Sequence, residues 1–219
     1  MNLEIPELSL VVLIGVSGSG KSTFGRTHFK PTEVISSDFC RGLIADDEND
    51  QSATPEAFEL LHHIVGKRLA GRRLTVVDAT NVQPEARRSL VALAREHDVL
   101  PVAIVLDVPE RVAAERNATR PDRDFGMQVI HRQAGQLRRG QKSLARDGFR
   151  GVHVLRGDDI QAATITRTKL YNDLRHETGP FDVIGDIHGC RAELEALLTE
   201  LDYAIERDDA GRAVGAHHQ

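Results

Sequence analysis

Runs of β-branched apolar residues alternate along the chain with stretches whose apolar positions recur every three or four residues. Residues 8–14 (Leu-Ser-Leu-Val-Val-Leu-Ile) are almost continuously apolar, which is the pattern of a strand buried on both faces of a parallel sheet. Residues 74–77 and 99–106 read the same way, and 33–35 and 152–155 more weakly. Between them, residues 55–70 follow Thr54-Pro55, a helix-start signal. They place Phe58, Leu61, Val65 and Leu69 on one helical face. Helices are also expected over 84–97, 109–119, 127–146 and 158–175. Strands alternating with helices predict an α/β fold, a parallel sheet covered by helices on both faces.

Near Glu177-Thr178-Gly179-Pro180 the helical periodicity stops. Phe181-Asp182-Val183-Ile184 then reads as a new strand, and 191–201 as an amphipathic helix carrying Leu194, Leu197, Leu198 and Leu201. The expected division is a first domain over 1–176 and a linker with the truncated start of a second domain over 177–219. So short a remainder is too small for an independent core. From Asp208 onward no periodicity is visible, and a structureless tail is expected there.

Composition narrows the function classes. The 219 residues are 40% hydrophobic and 28% charged, and no apolar run approaches the roughly 18 residues of a membrane span. No membrane association is expected. The acidic start Met1-Asn2-Leu3-Glu4 is unlike a secretory signal, so a cytoplasmic location is expected. Cys40 and Cys190 are the only cysteines and form neither a disulfide framework nor a zinc pattern. The net charge of −5 argues against a protein coated in basic residues, yet charge is unevenly spread. Residues 111–150 hold ten Arg or Lys against four acids, whereas 36–59 hold seven acids against Arg41 alone.

Gly15-Val16-Ser17-Gly18-Ser19-Gly20-Lys21-Ser22, followed by Thr23, fits GxxxxGK[ST] between a strand and a helix. Gly15, Ser17, Gly18, Ser19 and Gly20 would turn backbone N–H groups around phosphate oxygens. Lys21 would supply positive charge, and Ser22 would ligate Mg²⁺. The alternative is a glycine-rich turn without nucleotide. Asp78, at the carboxyl end of a buried strand, is a candidate for the metal, directly or through a water, or else a turn aspartate.

Such a loop alone does not separate kinases from other nucleotide-binding proteins, so the acceptor side decides. Asp38 follows the second strand onto the same ligand edge, where a carboxylate can take the proton of an attacking hydroxyl. If that segment is helical, Arg41 shares its face and can clamp an acceptor phosphate; a plain surface ion pair is the alternative. Arg116, Arg120 and Arg123 end a helix and pass through Pro121, the form of a lid. From there they can neutralise charge on a transferred phosphoryl group, or serve as a solvated helix end.

Taken together, the loop from Gly15 to Ser22, the run Val34 to Arg41, the strand ending Asp78-Ala79-Thr80-Asn81 and the lid arginines resemble the N-terminal kinase domain of bacterial polynucleotide kinase-phosphatase, over roughly residues 8–175. The resemblance implies a P-loop NTPase-type fold with a helical arginine-bearing lid. It assigns Lys21 and Ser22 to the ATP phosphates and Mg²⁺, and Asp38 to general base for a 5′-hydroxyl. Arg41 falls to the adjoining acceptor phosphate, and Arg116 and Arg120 to the ATP phosphates. Val183-Ile184-Gly185-Asp186-Ile187-His188-Gly189-Cys190 resembles the first metal motif of calcineurin-like phosphoesterases. It makes Asp186 and His188 ligands of a two-metal site suited to Mn²⁺ or Ni²⁺. That family's later motifs are absent, so this segment is expected to be inactive, and His217 and His218 are not expected to complete it. The resemblance also implies a ligase-like domain, an RNA 3′-end methyltransferase partner and a role in RNA repair.

The expected activity is transfer of the γ-phosphate from an NTP donor to the 5′-OH end of an RNA or DNA strand. Aromatic residues are few, so recognition should lean on phosphates rather than base stacking. Two competing readings are a P-loop kinase of a small alcohol or sugar, and a non-catalytic ATP-binding regulatory module.

Overall fold

The computed structural model describes residues 1–119 and 126–218. The chain forms two compact units, Met1–Asp173 and Leu174–Gln219.

In the first unit, β2 (Ser9–Ile14), β3 (Val34–Ser36), β4 (Thr75–Asp78), β5 (Leu100–Asp107) and β6 (Gly151–Arg156) form one sheet in the order β3-β4-β2-β5-β6. All four pairings are parallel. The central strand β2 is buried along its whole length, which is why its sequence is apolar without alternation. Its side chains still alternate in direction. Leu10, Val12 and Ile14 pack with α2 (Ser37–Ala45), α3 (Thr54–Ala70), α4 (Pro84–Glu96), α5 (Glu110–Ala118), α6 (Met127–Gln141) and α7 (Leu144–Asp147). Val11 and Leu13 pack with Phe24 and Phe29, at and just beyond α1 (Lys21–His28), and with Leu3 and Ile5.

That second face holds the main departure from the sequence reading. No helix runs over 158–175. The chain makes a 3₁₀ turn at Gly157–Ile160 and then β7 (Thr164–Thr168), which pairs in parallel with β1 (Asn2–Pro6), a strand the sequence reading left out. Thr164-Ile165-Thr166-Arg167-Thr168 is rich in β-branched residues and suits an extended chain. In β1, Leu3 and Ile5 are fully buried while Asn2 and Glu4 face outward, the two-residue alternation of a half-buried strand. The ribbon is tied to the main sheet by Glu33, whose carboxylate accepts from Arg167 Nη1 at 2.9 Å and Nη2 at 2.7 Å.

The second unit contains α8 (Arg191–Glu200), β8 (Tyr203–Arg207) and β9 (Ala213–His218). The strand expected at 181–184 is not formed, and Val183 is 93% exposed. The tail expected to be structureless instead makes an antiparallel hairpin. Its turn is held by Asp208 Oδ1, which accepts from the Ala210 and Arg212 N–H groups. His217 Nδ1 lies 3.2 Å from Glu206 Oε1, and the His218 ring packs edge-on against Tyr203.

Candidate functional site

The site lies at the carboxyl edge of the main sheet, where β2, β3 and β4 release their following loops. The loop after β2 turns through Gly18 (φ 79°) and Gly20 (φ 96°), backbone angles that L side chains rarely adopt. Glycine at position 18 is also required by space, because a Cβ there would collide with the Ala113 carbonyl. Gly15 is likewise crowded, with Ser19 Oγ 2.5 Å from a Cβ built on it. Helix α1 starts directly after Gly20 with no side-chain cap and no acidic residue in its first turn. Its N-terminal N–H groups and dipole therefore remain available to an anion. Lys21 is 8% exposed and folds onto the loop, donating from Nζ to the Gly15 and Val16 carbonyls at 2.9 Å each. Ser19 is fully buried, with its hydroxyl 3.5 Å from Lys21 Nζ.

The residues after β4 brace this loop. The Gly15 N–H donates to Thr80 O at 3.0 Å, and Asn81 Nδ2 donates to Leu13 O at 2.8 Å. Arg87 of α4, fully buried, donates from Nη1 to the Asn81 and Val82 carbonyls and from Nε to Asp147 at 2.8 Å. The sequence reading missed Arg87, Asp147 and the bracing role of Asn81. An arginine within an amphipathic helix gives no local sign that it points inward.

After β3, Ser36 caps α2 by accepting from the Asp38 and Phe39 N–H groups at 3.2 and 3.5 Å. The cap fixes Asp38 in the first turn, next to the sheet edge. Arg41, one turn on, donates from Nη1 to Asp38 Oδ1 at 3.0 Å and to the Glu48 carbonyl. Its side chain is 6% exposed against 26% for Asp38, so this is no plain surface pair: a buried guanidinium holds a reachable carboxylate. Among the described residues Arg41 Nε, which is buried, has no hydrogen-bond partner.

A cavity of about 220 Å³ brings these groups together. Its walls include Lys21 and Ser22 from α1, Asp38 and Arg41 from α2, Asp78 from the end of β4, and Arg132 from α6. Asp78 is buried and sits beside Leu13 and Ser36 in register. Asp78 and Ser22 are two of the oxygen donors in this cavity that could hold a divalent cation.

A second cavity, of about 530 Å³, opens on the other side of the loop between Thr23, Phe24, Thr27 and His28 of α1, Arg116 of α5, and Ile160 and Gln161. Arg116 stands over the loop, its Nη1 3.7 Å from a Cβ built on Gly20. Burial holds the His28 imidazole below its usual pKa, and its ring packs against Phe24. Ile160 and Gln161, missed in the sequence, reach this cavity because the segment leads into β7 rather than forming a helix. Arg120 and Arg123, assigned to the lid, lie outside the described residues.

In the second unit Asp186 and His188 are exposed, and among the described residues no three His, Cys, Asp or Glu side chains gather as a metal site. Among the described residues no helix is long and apolar enough to cross a membrane.

Residues 10–144 match the family model described as AAA domain. The chain belongs to that family. The arrangement is a P-loop kinase fold, a parallel sheet flanked by helices. A chain from the Pnkp1/Rnl/Hen1 RNA repair complex is similar over 64% of this chain and 47% of its own length, at 21% identity and a TM-score of 0.56. Kti12 of Chaetomium thermophilum, solved with ADP-AlF₃, is similar over 70% of this chain and 92% of its own, at 16% identity and a TM-score of 0.53. A putative kinase from Chloroflexus aurantiacus is similar over 68% of this chain and 88% of its own, at 14% identity and a TM-score of 0.50. This chain thus spans about half the length of the repair-complex chain. No curated protein sequence matches.

Proposed function

We propose that the protein is an ATP-dependent polynucleotide 5′-hydroxyl kinase that phosphorylates RNA or DNA ends in nucleic-acid repair. The observation that carries this reading is the shared cavity, in which the carboxylate of Asp38 and the buried guanidinium of Arg41 meet Lys21 and Ser22 of the phosphate loop. The donor nucleotide lies along the loop and α1, its base in the cavity bounded by Ile160 and Gln161, its phosphates neutralised by Lys21 and Arg116. When bound, Mg²⁺ held by Ser22 and Asp78 lowers the charge on the terminal phosphates. Asp38 takes the proton of the attacking 5′-hydroxyl. Arg41 then fits the phosphate on the far side of the same ribose, which gives preference to strands over free alcohols. Arg132, exposed at the cavity wall, suits the anionic strand leaving it. Asp186 and His188 take no part.

The test is incubation of labelled ATP with matched 5′-hydroxyl and 5′-phosphate oligonucleotides and with small alcohols. Label on the 5′-hydroxyl strand alone, weakening as salt rises, is the expected result. Label on a small alcohol alone would replace the nucleic acid with a sugar-like acceptor. ATP binding without transfer would make the protein a regulatory module.

A further inference from the structure

One side chain joins the phosphate loop to α6. Gln133, on α6, accepts a hydrogen bond from the Ser17 backbone N–H at 2.8 Å. Both residues line the cavity that also holds Lys21, Asp38 and Asp78. A backbone N–H only donates, so the atom it meets is the amide oxygen, and the two N–H groups of Gln133 Nε2 are left over. Among the described residues none accepts from that nitrogen.

We infer that Gln133 is a catalytic residue of the transfer step, a neutral donor aimed at the phosphoryl group in flight; this rests on reading the cavity as the transfer site. With its oxygen anchored on Ser17, the amide is held in one orientation before substrate arrives, at the wall of the cavity that also holds Lys21 and Asp38. In the step, the bond from the terminal phosphorus to its bridging oxygen breaks with the electron pair leaving on the nucleoside diphosphate. The bond from the acceptor oxygen to phosphorus forms, and the acceptor proton passes to Asp38. Gln133 exchanges no proton. It donates a hydrogen bond to a non-bridging oxygen as charge spreads over the moving group, the kind of fixed dipole that needs no reorganisation during reaction. Because the amide is neutral, it carries no charge that would bind ADP or repel the carboxylate of Asp38.

The experiment compares wild-type protein with Gln133→Ala and with Gln133→Met, which keeps the bulk of the side chain. It measures kcat and KM for ATP, and affinity for ADP with and without aluminium fluoride, a mimic of the moving phosphoryl group. Both variants are expected to lose about 10²-fold in kcat, the effect of removing one preorganised donor, with affinity for ADP alone unchanged. Affinity for ADP with aluminium fluoride should fall by the same factor as kcat. Variants turning over at the wild-type rate overturn the inference. So does an equal loss of affinity for ADP with and without aluminium fluoride, which would make the Ser17 contact a structural tie only. Wild-type protein that labels a small alcohol and no strand sinks the acceptor reading alone, because the same measurements on that alcohol still judge Gln133. Wild-type protein that labels nothing sinks both.

Discussion

Replacing Arg87 with methionine should cost more stability than almost any other single change in the protein. The Arg87 side chain is 1% exposed and that of its partner Asp147 3%, with Nη2 2.7 Å from the carboxylate and Nε donating to the same oxygen. Methionine fills much of the space but leaves a buried carboxylate, and it frees the Asn81 and Val82 carbonyls that Nη1 satisfies. Breaking a buried pair from one side costs about 3–5 kcal/mol. Arg88 Nε already lies 3.6 Å from Asp147 Oδ1 and takes over part of the carboxylate. The lower end is therefore expected, about 3 kcal/mol, or roughly 6–12 °C in melting temperature for a domain of this size. Removing both charges, as Arg87→Met with Asp147→Leu, should recover more than half of the loss, because the uncompensated carboxylate is gone. Thermal unfolding of the two variants measures this. A single variant melting at the wild-type temperature, or a double variant no more stable than the single, would refute the assignment of the cost to a stranded charge. The same brace reaches the phosphate loop through Asn81 and Thr80, so Arg87→Met should also weaken ATP binding.

Gly18→Ala should abolish nucleotide binding measured by equilibrium dialysis, since the new Cβ meets the Ala113 carbonyl at a positive φ; retained affinity would mean the loop has another working shape. For Glu33, burial pushes the carboxyl up, but the Arg167 guanidinium and the Lys30 N–H outweigh it and hold the pKa below the usual range. A depressed folded-state pKa contributes stability that is present above the ordinary glutamate value and lost as pH falls through the folded value. Glu33→Gln should therefore be less stable than wild type by about 1–3 kcal/mol at neutral pH. The gap should narrow as pH falls below the ordinary glutamate value and close once pH passes the lower folded-state value, and a gap independent of pH in urea unfolding would contradict the pairing.

The three inner strands of the main sheet, β2, β4 and β5, were readable because each is buried on both faces, so its apolar run stands out without knowledge of its neighbours, whereas the edge strands β3 and β6 are only partly buried and read more weakly. The ribbon of β1 and β7 was not. Its stability comes from pairing residues such as Ile5 and Arg167, far apart in sequence, and β1 is short, with polar residues at alternate positions. Residues 158–175 were expected to form a helix, whereas the run of threonines at 164, 166 and 168 was the better guide. The hairpin of the second unit is built from small residues such as Ala213, Gly215 and Ala216, which carry no hydrophobic period; the Asp208 to Gly211 turn was its one legible sign. At the candidate site, the glycine pattern and the carboxylates at strand ends pointed to the phosphate loop, Asp38 and Asp78. Asp38 and Arg41 are joined by a helix cap that Ser36 makes visible in retrospect. Gln133 and Gln161 could not be found that way, because an amide on a helix or in a loop has no distinctive spacing until the fold brings it to the cavity.

The central claim is that the Asp38 carboxylate receives the proton of the acceptor hydroxyl. Asp38→Ala, assayed in a single turnover with a 5′-hydroxyl oligonucleotide alongside direct measurement of ATP affinity, tests it. Transfer should fall by about 10²–10⁴-fold while ATP binds as in the wild type. A variant that transfers phosphate at the wild-type rate would contradict the account.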